Sequence, residues 1–198
     1  MYLYLKTLRI LLISLMIPLL YGCSSTNMKD FENKTPKLNL FEFFKGETVA
    51  FGIFEDRFGK LRRQFRVKIN GSVDQNILTL DEKFIYDDGE KATRIWKIEK
   101  INENENFVKY QGSAEDIDGL ATGSSVGNAL NWTYDIYLNM KGSNLKVKFN
   151  DWIYKQDNNV AINRAYVSKF GIDIGSVTLV FLRGKTAKTV SPLNISSW

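Results

Sequence analysis

Beyond Gly46 the chain alternates apolar and polar residues with a period of two, in one short segment after another. That period places successive side chains on opposite faces of a strand, one set toward a core and one toward water. The segments are roughly Thr48–Asp56, Lys60–Asn70, Ile77–Tyr86, Lys91–Ile101, Phe107–Ala114, Asn131–Asn139, Leu145–Lys155, Asn159–Lys169 and Ser176–Arg183. Turn-forming residues punctuate them at Phe58-Gly59, Asn70-Gly71, Asp88-Gly89, the acidic-amide cluster Asn102–Asn106, Gly142 and Asp157-Asn158. Between Glu115 and Leu130 the alternation stops and glycines accumulate, which predicts a long connection or lid. Ahead of the first strand, Leu38-Asn39-Leu40-Phe41-Glu42-Phe43-Phe44 runs up to Lys45-Gly46. One or two helical turns are expected there, capping one end of the strands, with glycine at the helix stop.

About nine strands in simple succession are too many for an open sheet with one wet face, and closing the sheet removes its exposed edges. The expected fold is therefore all-β: an antiparallel up-and-down barrel of the calycin or lipocalin-like type, with about 8–10 strands and a short N-terminal helix. A two-sheet β-sandwich is the alternative. The Gly-x-Trp that lipocalins carry on their first strand is not present; Gly52-Ile53-Phe54 occupies the comparable place.

Several polar residues fall on the apolar register, and turn lengths say which of them meet. A two-residue turn at Lys141-Gly142 sets Leu138 against Leu145, Tyr134 against Phe149 and Trp132 against Asp151. A two-residue turn at Asp157-Asn158 sets Ile153 against Ile162, Phe149 against Tyr166 and Asp151 against Arg164. The result is a transverse row, Trp132–Asp151–Arg164. A three-residue turn at Asp87-Asp88-Gly89 sets Leu80 against Ile98 and Glu82 against Trp96, with Arg94 opposite Phe84 and diagonal to Glu82. A charge in an apolar row is usually paired, because an unpaired buried charge is costly, so these pairs can be purely structural. Alternatively, with Trp132, Trp96, Tyr134 and Tyr166 they line an inner cavity and hold the polar head of an apolar ligand. Catalysis by Asp151 or Glu82 needs a raised carboxyl pKa, and an adjacent Arg164 argues against that.

Charge and composition narrow the chemistry further. The chain has no histidine and a single cysteine, Cys23. That removes Ser-His-Asp and Cys-His nucleophile pairs, His- or Cys-based zinc sites and intrachain disulfides. No catalytic residue, metal or cofactor is assigned, and an enzyme is not expected. Ser168-Lys169 cannot act as a dyad, since adjacent strand residues point to opposite faces. Asp116 and Asp118 are too few for a calcium site. Gly119, Gly123 and Gly127 lack the strand–loop–helix setting of a phosphate loop.

The first residues carry their own signal. Lys6 and Arg9 precede a run from Ile10 to Leu20 broken only by Ser14 and Pro18, which is shorter than a membrane span of about 20 apolar residues. A basic start, a short apolar run and a small residue before the cut describe a secretory signal. Leu20-Tyr21-Gly22-Cys23 resembles the lipobox of bacterial lipoproteins. The resemblance implies cleavage between Gly22 and Cys23, acylation of Cys23, and, with Ser24 after the cysteine, sorting to the periplasmic face of the outer membrane. Loss of Lys6 and Arg9 lowers the net charge from +5 to +3, and no basic stripe suggests nucleic acid. The expected organisation is a signal peptide over 1–22, a flexible tether over 23–37, a barrel over 38–184 and a loose tail over 185–198.

Longer matches carry a second resemblance: Pro36-x-Leu38, Phe44-x-Gly46, Phe84-x-Tyr86-Asp87-Asp88-Gly89, Gly127-Asn128-Ala129-Leu130-Asn131-Trp132, Asp151-Trp152-x-Tyr154, Asn163-Arg164-Ala165 and Ser168-Lys169-Phe170-Gly171. Together they resemble a family of uncharacterised lipoproteins of Gram-negative bacteria, a domain of unknown function. The resemblance implies an outer-membrane lipoprotein linked to lipid metabolism, with no established activity or catalytic residues. The expected function is to bind or carry a fatty-acyl or other apolar small molecule beside the membrane. The alternative is an assembly lipoprotein with a solid core, which docks an unidentified envelope protein.

Overall fold

The computed structural model of the protein describes residues 26–140, 143–190 and 192–198. Its strands are β1 (Gly46–Asp56), β2 (Leu61–Asp74), β3 (Ile77–Tyr86), β4 (Lys91–Glu103), β5 (Val108–Ser113), β6 (Ile117–Val126), β7 (Ala129–Met140), β8 (Ser143–Lys155), β9 (Val160–Lys169) and β10 (Ile172–Arg183). Each pairs antiparallel with its sequence neighbours, and β10 pairs with β1, so the meander closes into a barrel. Closure leaves no unpaired edge, as expected for a meander of this many strands.

The stretch from Glu115 to Leu130 is not a lid: most of it is β6, paired on both sides. The strand escapes the apolar alternation because its inward positions are small, at Ala121, Gly123 and Ser125. The Trp132 indole of β7 fills that space. A Cβ at Gly123 would run into the indole, and one at Gly112 on β5 would come within 2.9 Å of it. Two glycines on adjacent strands thus make a flat seat for one large ring.

One end of the barrel is plugged. A single helical turn, α1 (Leu40–Phe44), begins at Asn39, whose Oδ1 accepts the N–H groups of Phe41 and Glu42 at 3.0 and 3.2 Å. This is an ordinary N-cap. Gly46, at φ +88°, lets the chain turn directly into β1. Leu40, Phe41, Phe43 and Phe44 are all buried. Phe44 meets Phe181 edge-on at 5.2 Å, and Phe41 stacks on Tyr110 at 6.1 Å. Each such side chain contributes roughly 1.5–3 kcal/mol by burial. Gly71 makes the seat possible, because a Cβ there would collide with the Phe44 carbonyl.

Packing differs between the two ends. Beneath the plug, Ile69, Leu78 and Leu130 are at most 1% exposed. Toward the other end, the inward-facing Phe54, Phe84, Tyr86, Phe149, Val177 and Leu179 are only partly buried, while Ile136, Val147 and Val167 remain covered. A side chain that points into a closed barrel meets solvent only through the mouth. The inner wall is therefore less completely covered toward the mouth, on β1, β3, β8 and β10, than directly beneath the plug.

The flanking segments are less free than the sequence suggests. Asn27 opens a short 3-10 turn (Met28–Phe31) with a reciprocal capping box to Asp30. Phe31 then packs against Trp152 and Tyr154 on the outer wall of β8, with ring centroids at 6.0 and 5.6 Å. The Leu38 N–H donates to the Gly127 carbonyl at 2.7 Å. From Asn27 to Lys37 the expected flexible tether is docked at the plugged end. The C-terminal stretch is also held: α2 (Gly184–Thr189) follows β10, and the Arg66 guanidinium lies 4.4 Å over the Trp198 ring.

Candidate functional site

The inner wall at mid-height carries the candidate site. On β7 and β8 the expected register is observed, with Trp132 opposite Asp151 and Tyr134 opposite Phe149. Trp96 on β4 packs edge-on against Trp132 and Tyr134 at 5.8 and 5.3 Å, and Tyr134 lies flat on Phe149 at 5.3 Å. A second aromatic group, Phe65, Phe84 and Tyr86, stands on β2 and β3 with centroids 5.6–6.3 Å apart.

Between the two aromatic groups sit the inner charges. The three-residue turn at Asp87-Asp88-Gly89 is present, but it pairs Leu80 with Trp96 and Glu82 directly with Arg94. Those partners lie two positions from the expected ones, because the loop closes between Tyr86 and Glu90; a shift of two keeps every side chain on its face. Arg94 clasps Asp116, just ahead of β6, through Nε at 3.0 Å and Nη2 at 2.8 Å, both to Oδ2. Asp116, which the sequence offers only as a weak calcium ligand, is thus the partner of the central cation. Asp118 pairs with Lys146 on the outside. No ion pair among the described residues includes Glu82.

The β8–β9 register corrects the expected Asp151–Arg164 pair. Asp157 Oδ1 accepts the Asn159 and Val160 N–H groups at 2.6 and 2.9 Å, which builds a loop of three residues rather than two. Pairing therefore shifts by one: Asp151 faces Ala165, and Ile153 faces Asn163. A shift of one exchanges the two faces of a strand. Arg164 and Tyr166 are on the outer wall, where Arg164 donates to Thr178 Oγ1 at 2.6 Å and Tyr166 is 47% exposed. Neither lines the interior. Asn163 takes the inner place instead, and its Nδ2 donates to Asp151 Oδ1 at 2.6 Å. Asp151 Oδ2 and Asn163 Oδ1 have no partner in good hydrogen-bond geometry, although both residues are over nine-tenths buried; the Tyr134 phenol is the donor beside Asp151.

These surroundings set the protonation states. Burial pushes Glu82 up to about 7, helped by the neighbouring Asp116 and Asp151 and opposed by Arg94. Burial likewise raises Asp151 to about 6, opposed by Asn163, the Tyr134 phenol and Arg94. Tyr134 lies well above its ordinary range through burial and the Asp151 charge. For Arg94, burial is outweighed by Tyr134, Glu82 and Asp116, so it stays cationic. The expected acidifying guanidinium beside Asp151 is absent, and with it the argument from Arg164 against a raised carboxyl. Gly22 and Cys23 lie outside the described residues.

A closed up-and-down barrel of ten antiparallel strands, plugged at one end and aromatic inside, is a lipocalin-like fold. The chain belongs to the family described as Protein of unknown function (DUF3833), which matches residues 17–183. No curated protein matches it. Among solved structures it is similar to the S-type phycobiliprotein lyase CPES from Guillardia theta, at 9% identity and a TM-score of 0.54, covering 81% of this chain and 99% of that one. A weaker likeness, at 11% identity and a TM-score of 0.39, is to EF1p2_mFAP2b bound to DFHBI, covering 72% of this chain and 95% of that one.

Proposed function

We propose that the open half of the barrel binds an apolar small molecule of the fatty-acyl kind, and that the protein does so as a lipid-anchored carrier at the periplasmic face of the outer membrane. The observation that carries this reading is the partly exposed inner wall of Phe54, Phe84, Phe149 and Leu179, above the inner polar groups Glu82 and Arg94. A concave apolar surface with a few convergent polar groups is the usual form of a small-ligand site. The alternative, an assembly lipoprotein with a solid core, expects that wall to be filled and to take up no ligand. The phycobiliprotein lyase lends the fold alone.

The polar groups also narrow the head of the ligand. Glu82 and Asp151 both face inward, while the Arg94 charge is already clasped by Asp116. A free carboxylate entering there meets two carboxyls and no uncommitted cation. An alcohol, amine or amide head instead supplies the donors that the acceptors lack. The reading is of a binder, in which Glu82 and Asp151 serve as acceptors for the ligand's head.

Displacement of the fluorescent apolar amine N-phenyl-1-naphthylamine tests both points. Dodecanol and dodecylamine are expected to displace it saturably at one site, dodecanoic acid more weakly at pH 8, and Leu179→Trp, which fills the lumen, is expected to abolish binding. Failure of every ligand to bind overturns the carrier reading. Preference for the acid overturns only the assignment of the head.

A further inference from the structure

The rim of the barrel mouth is not uniform. The β3–β4 tip is acidic, with Asp87 and Asp88, and flanks the β1–β2 tip, where Arg63 of β2 pairs with Asp88. On its other flank the β1–β2 tip stands beside the β9–β10 tip, joined to it by the Arg57 N–H donating to the Ile174 carbonyl at 3.1 Å. Each carries a Phe-Gly pair at its apex, Phe58-Gly59 and Phe170-Gly171. Phe58 is 80% exposed and Phe170 94%, with Ile172 at 60% and Leu61 at 48% beside them.

The β9–β10 apex is a two-residue loop between Lys169 and Ile172, with φ of +52° at Phe170 and +77° at Gly171. Such hairpin loops favour asparagine or aspartate followed by glycine, and a bulky residue at positive φ is an outlier. Phenylalanine there gains nothing from the fold, since it packs against no core. Folding alone would favour a small polar residue at that apex, which leaves the ring available for a contact outside the chain.

The charges beside these rings are mostly basic, with exposed Asp173 on β10 as the acidic exception. Arg57 sits 4.7 Å over the Phe58 ring and Lys169 5.3 Å over the Phe170 ring, with Lys60 exposed beside Gly59 in the β1–β2 loop. Asp56 is consumed by its own turn: it accepts the Phe58 and Lys60 N–H groups and pairs with Arg62. Aromatic side chains flanked by free Arg and Lys are the chemistry of the membrane interface, where rings settle at head-group level and cations meet anionic lipids.

We propose that these two tips form a lip that docks the mouth of the barrel on an anionic phospholipid bilayer, with Phe58 and Phe170 inserted among the head groups. Charge complementarity selects this occupant over a second copy of the chain, whose identical basic tips would repel. The lip does not depend on what the lumen holds.

Co-sedimentation tests it with the chain from residue 24 onward, which contains the plug, all ten strands and no acyl anchor. The protein is expected to pellet with vesicles of phosphatidylglycerol and phosphatidylethanolamine, far less with phosphatidylcholine alone, and progressively less as salt rises. In the double variant Phe58→Ser and Phe170→Asn the bound fraction should fall about tenfold, because both inserted rings are gone. Its circular dichroism should be unchanged and its Tm equal or higher, since asparagine suits the left-handed apex. The proposal is overturned if the parent chain binds neither vesicle, or if the double variant binds as well as the parent. A dimer in analytical ultracentrifugation that the double variant abolishes also overturns it, by assigning the lip to a second copy.

Discussion

Glu82 and Asp151 are carboxyls on the inner face of a barrel whose central guanidinium is already held by Asp116. Their folded-state pKa values, about 7 and about 6, lie above the ordinary 4.5 and 3.8. The folded protein thus holds protons that the unfolded chain releases between those values. Stability is greatest at low pH within this window and is lost as pH rises through 6 and 7. The loss is a few kcal/mol in all, since each tenfold difference in proton affinity between folded and unfolded chain is worth ~1.4 kcal/mol. Thermal melting from pH 5 to pH 8 is expected to show a falling Tm. Glu82→Gln with Asp151→Asn should flatten that slope and raise the Tm at pH 8; a Tm that rises with pH in the parent protein contradicts the assignment. Trp132, Tyr134, Trp96 and Asp151 were legible as inner residues from alternation and one turn length. Asn163 was not, because a short polar residue between Ile162 and Arg164 carries no periodic signal of its own.

At the level of elements, hairpin loops decide which side chains meet. The loop at Gly142 gives the β7–β8 register directly, whereas Asp157 recruits Asn159 into its loop and moves β9 by one residue. That single residue puts Arg164 on the outer wall and Asn163 inside. The missing strand β6 has the same kind of cause: small inward residues were selected by a ring on the next strand, so the strand reads as a glycine-rich connection until its neighbour is in place. The plug was legible, because Asn39, four large apolar residues and Gly46 are local signals. Its seat depends on a distant glycine. Gly71→Ala is expected to push α1 off the barrel end and to lower stability by about 2–4 kcal/mol, with increased proteolysis near residue 45, as when a buried aromatic cluster is lost. Unchanged chemical denaturation of that variant would show that the seat tolerates a methyl group.

For the whole molecule, placement matters as much as the lumen. The segment from Asn27 to Lys37 is docked at the plugged end, among β6, β7 and β8. The lip lies at the other end, on the β1, β2, β9 and β10 side. The docked segment and the lip therefore lie at opposite ends of the barrel. Labelled palmitate supplied to cells is expected to enter the protein at Cys23, and Cys23→Ser should release the barrel to the soluble fraction; a labelled or membrane-bound Cys23→Ser protein would refute the anchor. The sequence by itself determined the all-β class, the up-and-down order, the plug and most of the inner aromatic residues. Those features follow from local periodicity, turn residues and the need to bury apolar faces. Tertiary structure decided which charges share the interior, where the solid core stops and which rim is apolar. Those depend on loop geometry and on rings seated over distant glycines, where one residue of register exchanges inside for outside.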